Sequence, residues 1–214
     1  MKNKNTILII LGIILIILIG FYWISQNRLN IENSGQQNQN GVITEETGAG
    51  VNNQVNNEQS QNKIITDDFS VNLPDGWQQT SPGMGISAMA VKVNEKIDDP
   101  AAQKINFQSY FAVVYDTLQG KSIKEYLQTV KNQLLQVVPD VVFNKEQDIM
   151  INGKPAHTIE AELVQQGINF KVLVVLIEGK EGDVWTISFN TTKSNWEENG
   201  EIFYSVANSF VLNK

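Results

Sequence analysis

The stretch Val141–Thr191, VVFNKEQDIMINGKPAHTIEAELVQQGINFKVLVVLIEGKEGDVWTISFNT, decides the fold. Asn152-Gly153 lies between two runs rich in apolar and β-branched residues, Val141–Ile151 and Pro155–Gln165. That dipeptide suits the positive backbone angles of a two-residue turn, so the two runs read as an antiparallel hairpin. Ile168–Glu178 and Asp183–Thr191 pair in the same way over Gly179-Lys180-Glu181-Gly182. Val172–Ile177 is apolar without interruption. A strand with one wet face alternates, so this one is expected to be central and covered on both faces.

Outward from these hairpins the pattern changes period. Ser122–Val138 places Ile123, Tyr126, Leu127, Val130 and Leu134 at helical spacing, opens on a capping box (Ser122 with Glu125) and stops at Pro139. Ser194–Asn208 opens with the same Ser-x-x-Glu pattern (Ser194, Glu197) and lines Trp196, Phe203 and Ala207 along one side. Ser209–Leu212 reads as a short closing strand. Towards the N-terminus Phe69–Leu73 alternates apolar and polar, Pro74-Asp75-Gly76 makes a turn, and Trp77 folds back on the core. Ile86–Val93 and Ile105–Tyr115 read as two further strands, with Asp98-Asp99-Pro100 as a loop between them. Antiparallel strands with two separated helices give an α+β domain, an antiparallel β-sheet flanked by helices.

The order of these elements resembles the superfamily of the photosystem II extrinsic protein PsbP and its bacterial PsbP-related members. The likeness is carried by an F-x-x-x-L-P-x-G-W opening (Phe69, Leu73, Pro74, Gly76, Trp77) and by the Ser-initiated helix with Tyr126 and Leu127. It continues through a G-x-x-A hairpin (Gly153, Ala156), two long strands, a Trp-bearing helix and a final Ser209-Phe210. It spans nearly all of 63–214. The resemblance implies a PsbP-like α/β/α sandwich and a non-enzymatic accessory domain on the outer face of a membrane. Photosynthetic members assist a manganese–calcium centre, but no metal-binding motif of theirs carries over to a residue here.

The first sixty residues are of a different kind. Thr6–Ile24, TILIILGIILIILIGFYWI, is nineteen residues without a charge. At about 1.5 Å per residue it is roughly 28 Å long, close to a bilayer's hydrocarbon thickness of about 30 Å. Lys2 and Lys4 precede it, and the next base is Arg28. The positive-inside bias therefore places 1–5 in the cytoplasm and the C-terminal domain outside, with Tyr22 and Trp23 at the outer interface. A cleaved secretory signal fits less well, because Gly20-Phe21-Tyr22-Trp23 is bulky where small residues are needed. A lipoprotein would need a cysteine, and the chain has none. A pilin-type processing site would have the apolar run after the cleavage point and a Glu where Ser25 stands. The expectation is a single-pass signal anchor. Residues 25–62 follow, with seventeen Asn or Gln among thirty-eight and no apolar period, and read as a disordered linker.

Composition narrows the function. Residues 63–214 hold 19 acids and 13 bases, a balance of −6, and no Lys/Arg stripe, which disfavours nucleic acid and anionic lipid headgroups as partners. The absence of Cys removes thiolate catalysis and Cys-ligated metals. His157, the only histidine, has no triad or zinc partners in the pattern and reads as structural or exposed. The acidic pairs Asp67-Asp68 and Asp98-Asp99 offer oxygen ligands for calcium without EF-hand spacing, and read as solvated loop charge. Glu178, Glu181 and Asp183 crowd one turn with Lys180. Glu160 and Glu162 share a strand face, the arrangement of a carboxylate pair in glycoside hydrolysis, but are expected to face water with Ile159, Ala161 and Leu163 turned inward. Asn190-Thr191-Thr192 matches a glycosylation sequon. No catalytic, cofactor-binding or metal residue is assigned. The leading expectation is a membrane-anchored scaffold for an envelope protein partner. The alternatives are a small-ligand or calcium/manganese-binding module and an envelope hydrolase using carboxylates.

Overall fold

The computed structural model describes residues 62–83 and 85–213. The expected N-terminal segment 1–5, the span 6–24 and all but the last residue of the linker 25–62 lie outside the described residues. Among the described residues no helix is long and apolar enough to cross a membrane.

The strands are β1 (Lys63–Ile65), β2 (Phe69–Asn72), β3 (Trp77–Thr80), β4 (Ala88–Lys92), β5 (Tyr110–Thr117), β6 (Val142–Ile151), β7 (Lys154–Gln165), β8 (Ile168–Glu178), β9 (Asp183–Thr192) and β10 (Val211–Leu212). The helices are α1 (Pro100–Lys104), α2 (Ile123–Val137) and α3 (Trp196–Asn208). Seven strands form one antiparallel sheet in the order β3-β4-β5-β9-β8-β7-β6, and β1-β2-β10 form a small second sheet. The β6–β7 turn has Asn152 and Gly153 at φ 47° and 78°, the paired positive angles that Asn-Gly accepts.

Side-chain alternation along β8 separates the two layers. Leu173, Val175 and Ile177 belong to a core cluster with Phe111, Ile187 and Phe189, onto which α3 packs Phe203, Val206 and Ala207. The small sheet joins this layer through Phe69 and Val71, and Phe69 stacks on Phe210 at 5.1 Å between ring centres. Val174 and Leu176 face the other way, under Tyr126, Leu127 and Val130 of α2. Val172 lies on that side too, in a cluster with Phe107, Leu134 and Ala102 of α1. Each buried aromatic or leucine contributes about 1.5–3 kcal/mol, so the two-sided covering of β8 is a large share of the fold's stability. Val172–Ile177 is therefore covered on both faces, as its unbroken apolar run requires.

Several expectations are corrected. The loop around Asp98-Asp99-Pro100 leads into a short helix. Asp99 accepts from the backbone N–H of Ala101 (2.8 Å) and Ala102 (3.0 Å), and Pro100 sits at the first helical position, where its missing N–H costs nothing. Ile105–Phe107 is not strand, because Asn106 has φ 53° and turns the chain; β5 starts at Tyr110 and runs on to Thr117. The strand expected over Ile86–Val93 is shorter, Ala88–Lys92. Ser122 caps α2 as expected, with Glu125 completing the box. Ser194 does not cap α3. The chain enters that helix through a 3-10 turn (Lys193–Asn195) whose capping side chain is Thr192, and Asn195 at the α3 N-cap makes no side-chain cap bond.

Candidate functional site: the acidic face of the C-terminal helix

α3 is amphipathic in an unusual way. Asn199, Gly200, Phe203, Val206 and Ala207 are buried, and the exposed positions are Glu197, Glu198, Glu201, Ser205 and Asn208. The helix carries three carboxylates and no base. Glu197 and Glu198 lie in the first turn, where the helix dipole favours negative charge. Glu201 is beyond that turn and gains nothing from it. Gly200 permits the helix to lie under its own Trp196: a Cβ there would meet the indole at 3.2 Å. Trp196 in turn carries the Lys171 ammonium 4.2 Å above its ring.

Two polar networks hold α3 against the main sheet. The first centres on Glu95, whose side chain is only 1% exposed. Its carboxylate accepts from the Ser109 N–H (2.7 Å), the Ser109 hydroxyl (2.8 Å) and Nδ2 of Asn199 (2.9 Å). Asn195 Nδ2 donates to the Lys96 carbonyl at 2.8 Å, and Lys92 bonds Asn199 Oδ1 at 3.0 Å and pairs with Glu198. A carboxylate this deep is tolerable only because its lone pairs are filled. The network pins the loop after β4 to the start of α3. Sequence reasoning missed it, since Glu95, Ser109 and Asn199 are far apart in the chain and belong to no motif.

The second network corrects an expectation. Glu160 does not face water; it is 7% exposed. Alternation along β7 sends Ile159, Ala161 and Leu163 into the clusters on the α2 side and Glu160 to the opposite side, which α3 covers. There Lys171 pairs with it at 2.9 Å, Lys145 stands at 3.8 Å, and the Tyr204 hydroxyl donates to it at 2.8 Å. Burial pulls the Glu160 carboxyl upward. The bonds from Lys171 and Tyr204 and the charges of Lys171 and Lys145 outweigh that pull, so the net shift is downward. Burial and the bond to Glu160 raise the Tyr204 phenol. Glu162 pairs with Lys193 at 2.5 Å. Glu160 and Glu162 are thus both held by cations, an arrangement that suits packing rather than proton transfer.

The other sequence candidates are dispersed. His157 Nδ1 lies 2.6 Å from an Asp148 oxygen, and Asp148 also meets Lys124 at 2.7 Å. Lys124 and His157 hold the Asp148 carboxyl below its ordinary value. Asp98 pairs with Lys96 at 3.2 Å while Asp99 caps α1. Asp67 and Asp68 lie in the turn before β2, where the Asp68 carbonyl accepts from the Asn213 N–H. Lys180 Nζ donates to the Asn213 carbonyl, and Asp183 accepts from the Tyr115 hydroxyl, a bond that raises the Tyr115 phenol. Glu178 and Glu181 flank that turn without joining a wider cluster. Among the described residues no three of His, Asp and Glu gather to hold a metal ion. The sequon Asn190-Thr191-Thr192 is buried in β9.

Two open grooves flank the exposed side of α3. One, at its first turn, has a volume of about 370 Å³ and is walled by Asp98, Glu197 and Glu198 with Lys96. The other, of about 480 Å³, runs between the helix and the turn after β2. Leu73, Pro74, Ile202 and Val206 form its apolar walls, and Asp75 and Glu201 carry its charge. Among the described residues neither Asp75 nor Glu201 has an ion-pair partner.

No protein-family model matches the chain, and no curated protein matches it. Solved structures do. The cyanobacterial PsbP (CyanoP) from Synechocystis aligns over 71% of this chain and 92% of its own, with TM-score 0.51 and 15% identity. The domain has the PsbP-like fold. LpqN of Mycobacterium tuberculosis, described as involved in cell envelope biogenesis, aligns over 68% of this chain and 83% of its own, with TM-score 0.53 and 12% identity. The Saccharomyces cerevisiae Ran-binding protein Mog1p covers 72% of this chain and 96% of its own, with TM-score 0.50 and 14% identity. At these identities the likeness carries the PsbP-like fold and nothing of the site.

Proposed function

We propose that this chain is a membrane-anchored accessory protein whose PsbP-like domain stands outside the cytoplasm and binds an envelope protein through the exposed side of α3. The observation that carries the reading is that side itself: a carboxylate-bearing helix face, flanked by two grooves, beside which Asp75 and Glu201 have no ion-pair partner among the described residues. Paired charges elsewhere on the domain are consumed by its own packing, as at Glu95 and Glu160. The uncharged run Thr6–Ile24 and the Asn/Gln-rich residues after it supply the anchor and the reach. LpqN, with the same fold, is described as acting in cell envelope biogenesis and Mog1p as binding Ran, both compatible with a fold used for interaction. Fold alone does not transfer a role, so the reading stands on α3.

The test is lysine-reactive crosslinking of the full-length protein in intact cells, followed by mass spectrometry of what co-purifies. A reproducible envelope protein above background is expected. Its absence from cells in which the protein is folded and abundant would remove the reading.

A further inference from the structure

We infer that the groove between α3 and the turn after β2 receives a basic segment of the partner protein, with one lysine or arginine side chain between Asp75 and Glu201 and a neighbouring aliphatic side chain on the apolar wall. The inference rests on the accessory reading above and gives its partner a chemistry.

The groove's volume of about 480 Å³ falls within the range of ligand clefts, about 300–1,000 Å³. Leu73 and Ile202 are partly buried against the main core, so the apolar wall is a continuation of that core. Asp75 and Glu201 stand on opposite sides, one on the turn and one on the helix. Among the described residues no base lines the groove. Ser205, also on the wall, adds a hydroxyl. Anionic occupants are repelled, and a purely apolar one makes no use of the two exposed carboxylates. A cationic side chain with an aliphatic stem meets both demands, because the stem covers the apolar wall while the charged end reaches the carboxylates. The domain's charge balance of −6 steers such a segment towards the surface before contact.

The groove at the first turn of α3 lacks this chemistry, since Lys96 already lies beside Asp98. The long edge strand β6 is a second candidate surface, but Lys145, Glu146 and Asp148 along it are spent on Glu160, Lys131 and Lys124 and give an edge protected by charge.

The test uses the full-length protein in a neutral detergent and a fluorescein-labelled glycine hexapeptide carrying two lysines around one leucine, read by anisotropy. Saturable binding is expected, weakening with added salt, with none for the peptide that has glutamates in place of lysines. Asp75→Asn and Glu201→Gln are expected to weaken binding by about two- to fivefold each. The double variant Asp75→Lys/Glu201→Lys should abolish it with the circular dichroism spectrum unchanged. No saturable binding, equal binding of the glutamate peptide, or indifference to both substitutions would overturn the inference. Spermidine competing as strongly as the leucine-containing peptide would overturn the peptide assignment, since a polyamine makes no use of the apolar wall. A partner captured in cells alongside a groove that ignores the lysine peptide refutes this inference and leaves the accessory reading standing.

Discussion

Glu160 shows how one residue's environment decides between chemistry and structure. Its carboxylate is held by Lys171, Lys145 and Tyr204 under α3. Glu160→Ala leaves the Lys171 ammonium, itself 15% exposed, without its close partner, and should cost about 2–3 kcal/mol in denaturant unfolding. Glu162→Ala breaks a more exposed pair and should cost no more than about 1 kcal/mol. The pH dependence has a definite sign. The folded carboxyl of Glu160 is depressed relative to its unfolded value, so its stabilisation is full above the unfolded pKa of about 4.3 and is lost as pH falls through the folded value. The stability gap between the native protein and Glu160→Gln should therefore be widest near neutral pH and shrink towards pH 3. His157 gives a sharper readout. An ionised Asp148 can only accept, so Nδ1 carries the proton of the neutral ring, and nitrogen-15 NMR of this single histidine should show that tautomer. None of these partnerships follows from local sequence. Alternation placed Glu160 and Glu162 on one side of β7, but which side α3 would cover depends on a helix more than thirty residues away.

At the scale of elements, the paired Ser-x-x-Glu patterns separate local from tertiary control. Ser122 and Glu125 form a true capping box, whereas Ser194 is displaced by a 3-10 turn capped by Thr192. Ser122→Ala should lower stability by about 1 kcal/mol and Ser194→Ala by less than about 0.5 kcal/mol in parallel urea unfolding. The same sequence pattern gave two outcomes because Asn195 and Asn199 are drawn to the loop after β4 through Lys96 and Glu95, which fixes how the chain enters α3. The hairpins and the two-sided burial of β8 were legible because turn chemistry and apolar continuity are local signals. The small sheet of β1, β2 and β10 was not recognised as separate, since three-residue and two-residue strands carry no period. Asp99-Pro100 is also a local signal, a capping Asp followed by Pro at the first helical position, but a helix of five residues is too short to show an apolar period.

For the whole molecule the proposal is a tether, a PsbP-like domain and an acidic helix face turned to a partner. Topology is directly testable, since the chain has no cysteine. Asn208→Cys places one thiol at an exposed position of α3 and should be labelled by a membrane-impermeant maleimide in intact cells. Labelling only after lysis would place the domain on the other side. The most direct measurement is site-resolved photocrosslinking in living cells, with benzoylphenylalanine at Ser205 on α3 or at Gln128 on the exposed side of α2. A specific protein adduct is expected from Ser205 and none from Gln128. An adduct from Gln128 alone, or none from either in folded protein, would contradict the proposal.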